Sequence, residues 1–194
     1  MKKGKSYTVA YRRKREGRTN YRARIKLLSS DKNRVVLRKG INNFVIQIIE
    51  HHLKGDKVLV SSHTRELIKY GWKSHRGNIS SAYLTGLLCG IKAKKKGIKS
   101  GVTDVGFFRI VKGSCIFAAI KGLRDSGFAI AASEDFFPNQ DRISGKHIQE
   151  FASKIKGSPL YNIQFSNLIK NGLKPEEFTR HFDEIKGKVL ANDK

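Results

Sequence analysis

The chain has 194 residues, with 40 lysines or arginines against 16 aspartates or glutamates, and its formal net charge at pH 7 is +24. This length leaves room for one good core with extensions, or for two small domains at most. A free protein this basic repels itself and attracts polyanions, so its expected partner is a nucleic acid or an acidic membrane surface.

The most basic stretch is the N-terminal one. Between Met1 and Lys26 there are eleven lysines or arginines and one acid, Glu16, and almost nothing aliphatic precedes Ile25. By itself such a segment is expected to be largely disordered, because it buries too little apolar surface to offset the entropy of ordering. Guanidinium groups match phosphate oxygens and tyrosine rings stack on bases, which favours an RNA-binding arm over residues 1–28. A solvated basic tail or a targeting signal is the alternative.

A membrane partner is not expected. No apolar run approaches the roughly 18 residues of a membrane span, and the N-terminus lacks the apolar region of a secretory signal. The two cysteines, Cys89 and Cys115, each lie in an apolar run with helical spacing. We expect them to be small buried side chains in a reducing compartment rather than a disulfide or a zinc pair.

Three short strands are predicted after the arm. Residues 34–39 are β-branched and alternate partly, and residues 44–50 are almost continuously apolar. Residues 58–61 form the third strand. Because the connections are short, an antiparallel meander is favoured, with the basic residues of the first strand on its open side.

The candidate RNA contacts are the cations and tyrosines of the arm, extended along the sheet edge by three cations of the first strand. The cations would hold phosphates, and the tyrosines would stack on an unpaired base. The predicted contacts are Tyr11, Arg12, Arg13, Lys14, Arg15, Arg18, Tyr21, Arg22, Arg24, Lys26, Arg34, Arg38 and Lys39.

Helices follow the meander. Thr64 is expected to cap a short helix that stops at Gly71, and a longer helix is predicted from Asn78 or Ser80 to Gly97. One face of the longer helix carries small residues four apart, among them two glycines. Since glycine costs up to about 1 kcal/mol in a helix interior, we expect this face to pack closely, against the sheet.

The remaining chain alternates strand and helix. A strand over residues 102–110, a helix over residues 114–127 and a short strand over residues 128–132 indicate an α/β layer. Helices over residues 144–155 and 175–190 follow, on either side of a loose segment at residues 157–159. The predicted fold is α/β, with a mixed sheet that starts as an antiparallel meander and is flanked by helices. The predicted domains are an arm (1–28), an α/β core (29–137) and a helical C-terminal extension (138–194).

Catalytic patterns are sparse. The phosphate-binding glycine loops and the His-x-x-x-His pattern of zinc sites are absent from the sequence. Asp104 on a predicted strand, with Asp125, Glu134 and Asp135 further on, leaves open a metal-dependent nuclease. These later acids are more simply solvated charges. We therefore expect no enzyme, no cofactor, no metal and no small-molecule substrate.

Several segments resemble one known family when they are taken together and in order. They are residues 12–24 (RRKREGRTNYRAR), 69–73 (KYGWK), 77–78 (GN), 82–88 (AYLTGLL), 104–106 (DVG), 117–122 (FAAIKG), 175–178 (PEEF) and 181–184 (HFDE). This set is similar to the archaeal and eukaryotic family of large-subunit ribosomal proteins that bind 5S rRNA, the long form of ribosomal protein eighteen. Residues 39–43 depart from the Lys-Thr-Asn-Lys often found there in the family.

The resemblance implies a ribonuclease-H-like topology without catalytic acids. It also implies a structural role in the cytoplasmic ribosome, attaching 5S rRNA to 23S rRNA and to neighbouring large-subunit proteins in the central protuberance. The alternatives are a metal-dependent nuclease and an RNA-binding factor outside the ribosome.

Overall fold

A five-stranded mixed sheet forms the centre of the protein. In the computed structural model, which describes residues 8–191, the strands lie in the order β3-β2-β1-β4-β5. They are β1 (Arg34–Lys39), β2 (Phe44–Glu50), β3 (Lys57–His63), β4 (Ser100–Asp104) and β5 (Ala129–Ile130). β2 pairs antiparallel with β1 and with β3, whereas β4 is parallel to β1 and to β5. The predicted α/β class with a meander start is confirmed, and the ribonuclease-H-like topology stays a prediction.

Helices cover the sheet and continue beyond it. The α-helices of the described chain are α1 (Arg12–Arg15), α2 (Tyr21–Leu28), α3 (Ile79–Lys95), α4 (Cys115–Asp125), α5 (Gln140–Ser144), α6 (Lys146–Lys154), α7 (Pro159–Gln164), α8 (Ser166–Lys170) and α9 (Phe178–Ala191). Short 3-10 helices occur at Thr64–Tyr70, Glu134–Phe136 and Pro175–Glu177. None of the helices within residues 8–191 is long and apolar enough to cross a membrane.

Helix α3 is the most buried helix of the core and packs against β2, β3, α4 and α9. It begins where the side-chain oxygen of Asn78 accepts a hydrogen bond from the Ser81 N–H at 2.8 Å. It ends before Gly97, whose positive φ of 72° closes the helix. Both helix boundaries were predicted from the sequence.

The glycine face of α3 packs against α4 and not against the sheet, so that expectation was wrong. A Cβ atom added to Gly86 would collide with the backbone carbonyl of Ala119, and one added to Gly122 of α4 would collide with the carbonyl of Tyr83. The two helices therefore approach at backbone distance. Gly90 similarly makes room for the side chain of Ser126.

Two strands differ from their predicted lengths. The predicted strand over residues 102–110 ends at Asp104, because the Asp104 carboxylate accepts the Gly106 N–H at 2.9 Å and Gly106 turns the chain with φ +63°. The predicted strand over residues 128–132 is reduced to two residues.

Three helix predictions also require correction. The short helix after β3 is a 3-10 helix capped by His63 rather than Thr64, whose hydroxyl instead accepts the Phe44 N–H. The predicted helix over residues 144–155 is interrupted at Gly145, which has a positive φ and lies against the ring of Phe178. Residues 157–159 were predicted to be loose, whereas Ser158 caps α7 and Pro159 begins it.

The C-terminal helix α9 joins the core of the sheet domain. Phe178 and Phe182 are fully buried, and Phe178 meets Trp72 edge-to-face at 5.9 Å. The His181 ring stacks on Trp72 at 5.3 Å and accepts the Lys73 N–H at 3.2 Å. The predicted division of the chain into an arm, a core and an extension that begins after residue 137 stays a prediction. Residues 1–7 of the predicted arm and residues 192–194 of the predicted extension lie outside the described residues.

Candidate nucleic-acid interface

The N-terminal arm contains two short helices connected by a turn at Gly17, which has φ +65°. Asn20 caps α2 by accepting the Ala23 N–H at 3.1 Å. The rings of Tyr11 and Tyr21 lie 5.1 Å apart, so the tyrosines of the arm contact each other across the turn. Residues 25–28 form the last turn of α2.

Most of the predicted contacts lie at the surface. Neither α1 nor α2 contains a buried residue. The exposed members of the predicted set are Tyr11, Arg12, Arg13, Lys14, Arg15, Arg18, Arg22, Lys26 and Lys39. Tyr21, Arg24 and Arg38 are half-buried. The exposed cations are therefore available to phosphate groups.

Internal hydrogen bonds shape the arm. Arg13 Nε donates to the Thr19 hydroxyl at 2.9 Å. Glu16 accepts from Arg12 at 2.7 Å and forms an ion pair with Arg18 at 3.2 Å. These are surface contacts, and such ion pairs add little to the free energy of unfolding. Their effect is to orient the guanidinium groups.

Arg34 is placed differently from the rest of the predicted set. Its side chain is only 5% exposed, and its two terminal nitrogens donate to two carboxylates, those of Asp56 and Asp104. The distance from Nη1 to Asp104 Oδ2 is 2.9 Å. In this arrangement Arg34 joins two distant parts of the chain, and its guanidinium is not presented to a partner.

The same carboxylates bind two half-buried arginines. Arg24 of α2 donates to the carboxylate of Asp56 at 2.9 Å, and Arg38 donates to the carboxylate of Asp104 at 3.5 Å and to its main-chain carbonyl at 3.1 Å. We call these five residues the arginine clasp: Arg24, Arg34, Arg38, Asp56 and Asp104. Because Arg24 belongs to the arm and the other residues to the sheet domain, the clasp fixes the arm against the sheet.

The clasp changes the proton affinity of one of its acids. Burial by itself would raise the pKa of Asp56. A hydrogen bond from His51 and the charges of Arg34 and Arg24 outweigh that effect, so the pKa of Asp56 lies below its ordinary value. Asp56 is therefore ionised at neutral pH and attracts both arginines.

Sequence reasoning found the arginines of the clasp but not its acids. Arg34, Val36 and Arg38 occupy every second position of β1, so their side chains lie on one face of the sheet. This spacing allowed the two arginines to be grouped from the sequence. The acidic partners of Arg34 lie 22 and 70 residues further along the chain, and that of Arg38 lies 66 residues further. No short-range pattern connects residues at such separations.

A cleft lies beside the clasp, between the arm and the loop that follows β4. It has a volume of about 490 Å³ and is lined by Arg13, Gly17, Arg18, Arg38, Gly106, Phe107 and Phe108. Both phenylalanines were expected in a strand, so their position at the surface was not predicted.

Three of the acids that left a nuclease open, Asp104, Asp125 and Glu134, are engaged by other side chains. Asp125 accepts a hydrogen bond from the Tyr83 hydroxyl at 2.7 Å, and Glu134 pairs with Arg124 at 2.7 Å. Among residues 8–191 no group of three or more His, Cys, Asp or Glu side chains is placed to hold a metal ion. Cys89 and Cys115 are free and buried, and burial raises the pKa of the Cys89 thiol to about 12.

An α/β core that carries an arm of exposed arginines is the arrangement of an RNA-binding protein. In a comparison with known protein families, residues 5–100 match the family described as ribosomal large subunit proteins 60S L5 and 50S L18. This match covers the arm from residue 5 onward and ends at the first residue of β4. The chain belongs to this family and is an RNA-binding protein of the large ribosomal subunit that acts in translation. The resemblance found in the sequence is confirmed.

Proposed function

We propose that the chain binds 5S rRNA and attaches it to 23S rRNA and to neighbouring proteins of the large subunit. Membership of the ribosomal family supports an rRNA partner in general. The choice of 5S rRNA rests on the ordered motifs of the arm, α3 and α9. In this role the protein is structural and does not transform a substrate.

The exposed cations of the arm carry this proposal. Four consecutive residues, Arg12–Arg15, are all basic and lie in a helix without buried residues. Each cation that meets a phosphate releases a condensed counterion, and this release supplies most of the sequence-independent affinity for RNA. Arginine also forks across two phosphate oxygens, which fixes the orientation of the RNA on the arm.

The arginine clasp gives the arm a defined starting position. The ion pair of Arg24 with Asp56 holds the C-terminal end of the arm against the sheet. A segment that is held before binding loses less conformational entropy in the complex. We therefore assign phosphate binding to the exposed residues of the predicted set and positioning to Arg24, Arg34 and Arg38.

A binding assay with two RNAs tests the proposal. The full chain is titrated against a 5S rRNA transcript and against a size-matched transcript of unrelated sequence, at the same salt concentration and with tRNA as competitor. We expect the 5S rRNA transcript to bind at least about tenfold more tightly. Equal affinity for the two transcripts would contradict the assignment of 5S rRNA while leaving RNA binding intact.

The nuclease alternative has a separate assay. A metal-dependent nuclease needs carboxylates that converge on the metal, whereas Asp104 is engaged by arginines in the clasp. We expect the 5S rRNA transcript to stay intact after incubation with the protein and Mg²⁺ or Mn²⁺. Cleavage that depends on either ion would favour the nuclease. The other alternative, an RNA-binding factor outside the ribosome, is disfavoured by the family match.

A further inference from the structure

The loop after β4 exposes a run of large apolar side chains. Phe107 is 56% exposed, Phe108 38%, Ile110 62% and Val111 50%. Isolated apolar residues at a protein surface are ordinary, but a contiguous group of this kind marks an interaction site. Nothing in the RNA contacts predicted from the sequence includes this loop.

Asp104 and Arg38 hold the first turn of this loop in place. The Asp104 carboxylate accepts the Gly106 N–H, and Gly106 adopts φ +63° directly above the guanidinium of Arg38. A Cβ atom added to Gly106 would lie 3.2 Å from the Arg38 guanidinium carbon, so the two groups are already in close contact. The exposed phenylalanines therefore follow a turn that the arginine clasp supports.

The cleft beside the loop combines aromatic rings with positive charge. The arm contributes Arg13 and Arg18 to one wall, and the loop contributes Phe107 and Phe108 to the other. Arg38, whose side chain is 40% exposed, also lines the cleft. The volume of about 490 Å³ falls within the roughly 300–1,000 Å³ typical of sites for small organic groups.

We propose that this cleft binds one unpaired nucleotide of the RNA, with its base stacked on Phe107 or Phe108 and its phosphate held by Arg13 or Arg18. The inference deepens the proposed function and rests on its RNA-binding part. Aromatic side chains beside arginines are the usual platform for unstacked bases, because every base has a π-face and every nucleotide carries a phosphate.

Charge decides between a nucleotide and an apolar protein partner. The described residues that line the cleft include three arginines and no acid, and only Arg18 and Arg38 have an acid, Glu16 and Asp104, paired with them beside it. Arg109 and Lys112 of the same loop are also exposed. An apolar protein surface docked here would remove water from these cations without providing counter-charges, which is unfavourable. A nucleotide satisfies both the rings and the cations.

Two pairs of substitutions in the full chain separate stacking from simple apolar contact. Phe107→Leu and Phe108→Leu keep an apolar side chain but remove the flat ring. Ile110→Ala and Val111→Ala, in the same exposed loop, serve as matched controls. We expect the double leucine variant to bind the 5S rRNA transcript about tenfold more weakly, and the double alanine variant to bind like the wild type.

A fluorescent reporter tests the position of the base directly. Trp72 is the single tryptophan and is only 4% exposed, so a tryptophan introduced at position 107 provides a separate signal. Stacking should quench the emission of Phe107→Trp when the RNA binds. Ile110→Trp should be quenched less, because Ile110 lies outside the cleft lining.

The outcomes are distinguishable from a failure of the proposed function. If the wild type binds the transcript while the leucine variant binds equally well and Phe107→Trp is not quenched, the nucleotide site is overturned and RNA binding stands. A weakened alanine variant would favour an apolar contact and overturn stacking. A wild type that binds no RNA would overturn both proposals.

Discussion

The arm and the helix pair α3–α4 are ordered by different physical effects. The described helices of the arm bury no residue and are held by hydrogen bonds and ion pairs at their edge. In α3, by contrast, all but a few residues are buried, and glycines on both helices bring the two backbones together.

This difference indicates how function and stability are divided in the molecule. Substitution of exposed arm cations should change RNA affinity with little effect on folding, since surface charges add little stability. Substitution in the helix pair should change folding first, because close-packed interiors relax only partly. The arginine clasp joins the arm to the buried sheet, so substitutions in the clasp should change both RNA affinity and folding.

The largest loss of stability is expected at the clasp. Arg34→Met leaves the carboxylate of Asp104 buried without its main partner, and breaking a buried ion pair in this way costs about 3–5 kcal/mol. Denaturant unfolding of the variant measures this loss. In the double variant with Asp104→Asn part of the stability should return, because the uncompensated charge is gone. A single variant as stable as the wild type would mean that the buried Arg34–Asp104 ion pair does not stabilise the sheet domain.

Neutralising the first helix of the arm should lower the affinity for RNA strongly without changing the stability of the fold. The variant replaces Arg12, Arg13, Lys14 and Arg15 by glutamine. If each contacts one phosphate, the salt dependence of RNA affinity should become shallower by about 3, and affinity near 0.1 M salt should fall on the order of 10²–10³-fold. The unfolding midpoint should stay unchanged.

The control for the arm variant has the same change in net charge. It replaces Lys146, Lys154, Lys170 and Lys174, which are exposed in the C-terminal part of the chain, by glutamine. We expect this variant to retain most of the wild-type salt slope. Equal losses in the two variants would show that the RNA responds to net charge and not to the arm.

A smaller effect on stability is expected in the helix pair. Gly86→Ala places a methyl group against the Ala119 carbonyl of the neighbouring helix, and overpacking of this kind costs about 1–3 kcal/mol. Gly187→Ala in α9 is the matched control, because nothing lies within 4 Å of its added methyl group. That variant should gain about 0.5–1 kcal/mol. A Gly86 variant that is stabilised like the control would show that α3 and α4 are not in close contact.

The smallest effect concerns pH. Burial lowers the pKa of His181 below its ordinary value, so between the folded and unfolded pKa the unfolded chain binds more protons. Stability should therefore be complete above about pH 6.5 and fall as the solution is acidified. In His181→Phe this slope should be smaller by at most one proton, or roughly 1.4 kcal/mol per pH unit. Urea unfolding at pH 7 and pH 5 measures it. An unchanged slope would indicate that His181 titrates normally.

Local patterns predicted the elements that local forces determine. The bounds of β1 and β2 follow from β-branched and apolar runs, and the start of α3 follows from the capping side chain of Asn78. The small-residue face of α3 was also recognised. Its partner was not, because periodicity shows which face is buried but not which element lies opposite.

Of the candidate site, only the positively charged residues could be predicted from the sequence. Charge in the arm is visible in the sequence, and most of these side chains are at the surface. The burial of Arg34 depends on Asp56 and Asp104, which are distant in sequence. Phe107 and Phe108 were predicted to lie in a strand because aromatic residues favour strands. In the structure β4 ends before them, at the turn between Asp104 and Gly106.

The central claim is that rRNA binds across the arm and the cleft beside it, and cross-linking tests this most directly. The full chain bound to the 5S rRNA transcript is irradiated with ultraviolet light, and the peptides attached to nucleotides are identified by mass spectrometry. We expect the cross-links to fall within residues 11–28 and 105–113. Cross-links confined to residues 146–174, on the C-terminal helices, would place the RNA on the opposite part of the chain and contradict the account.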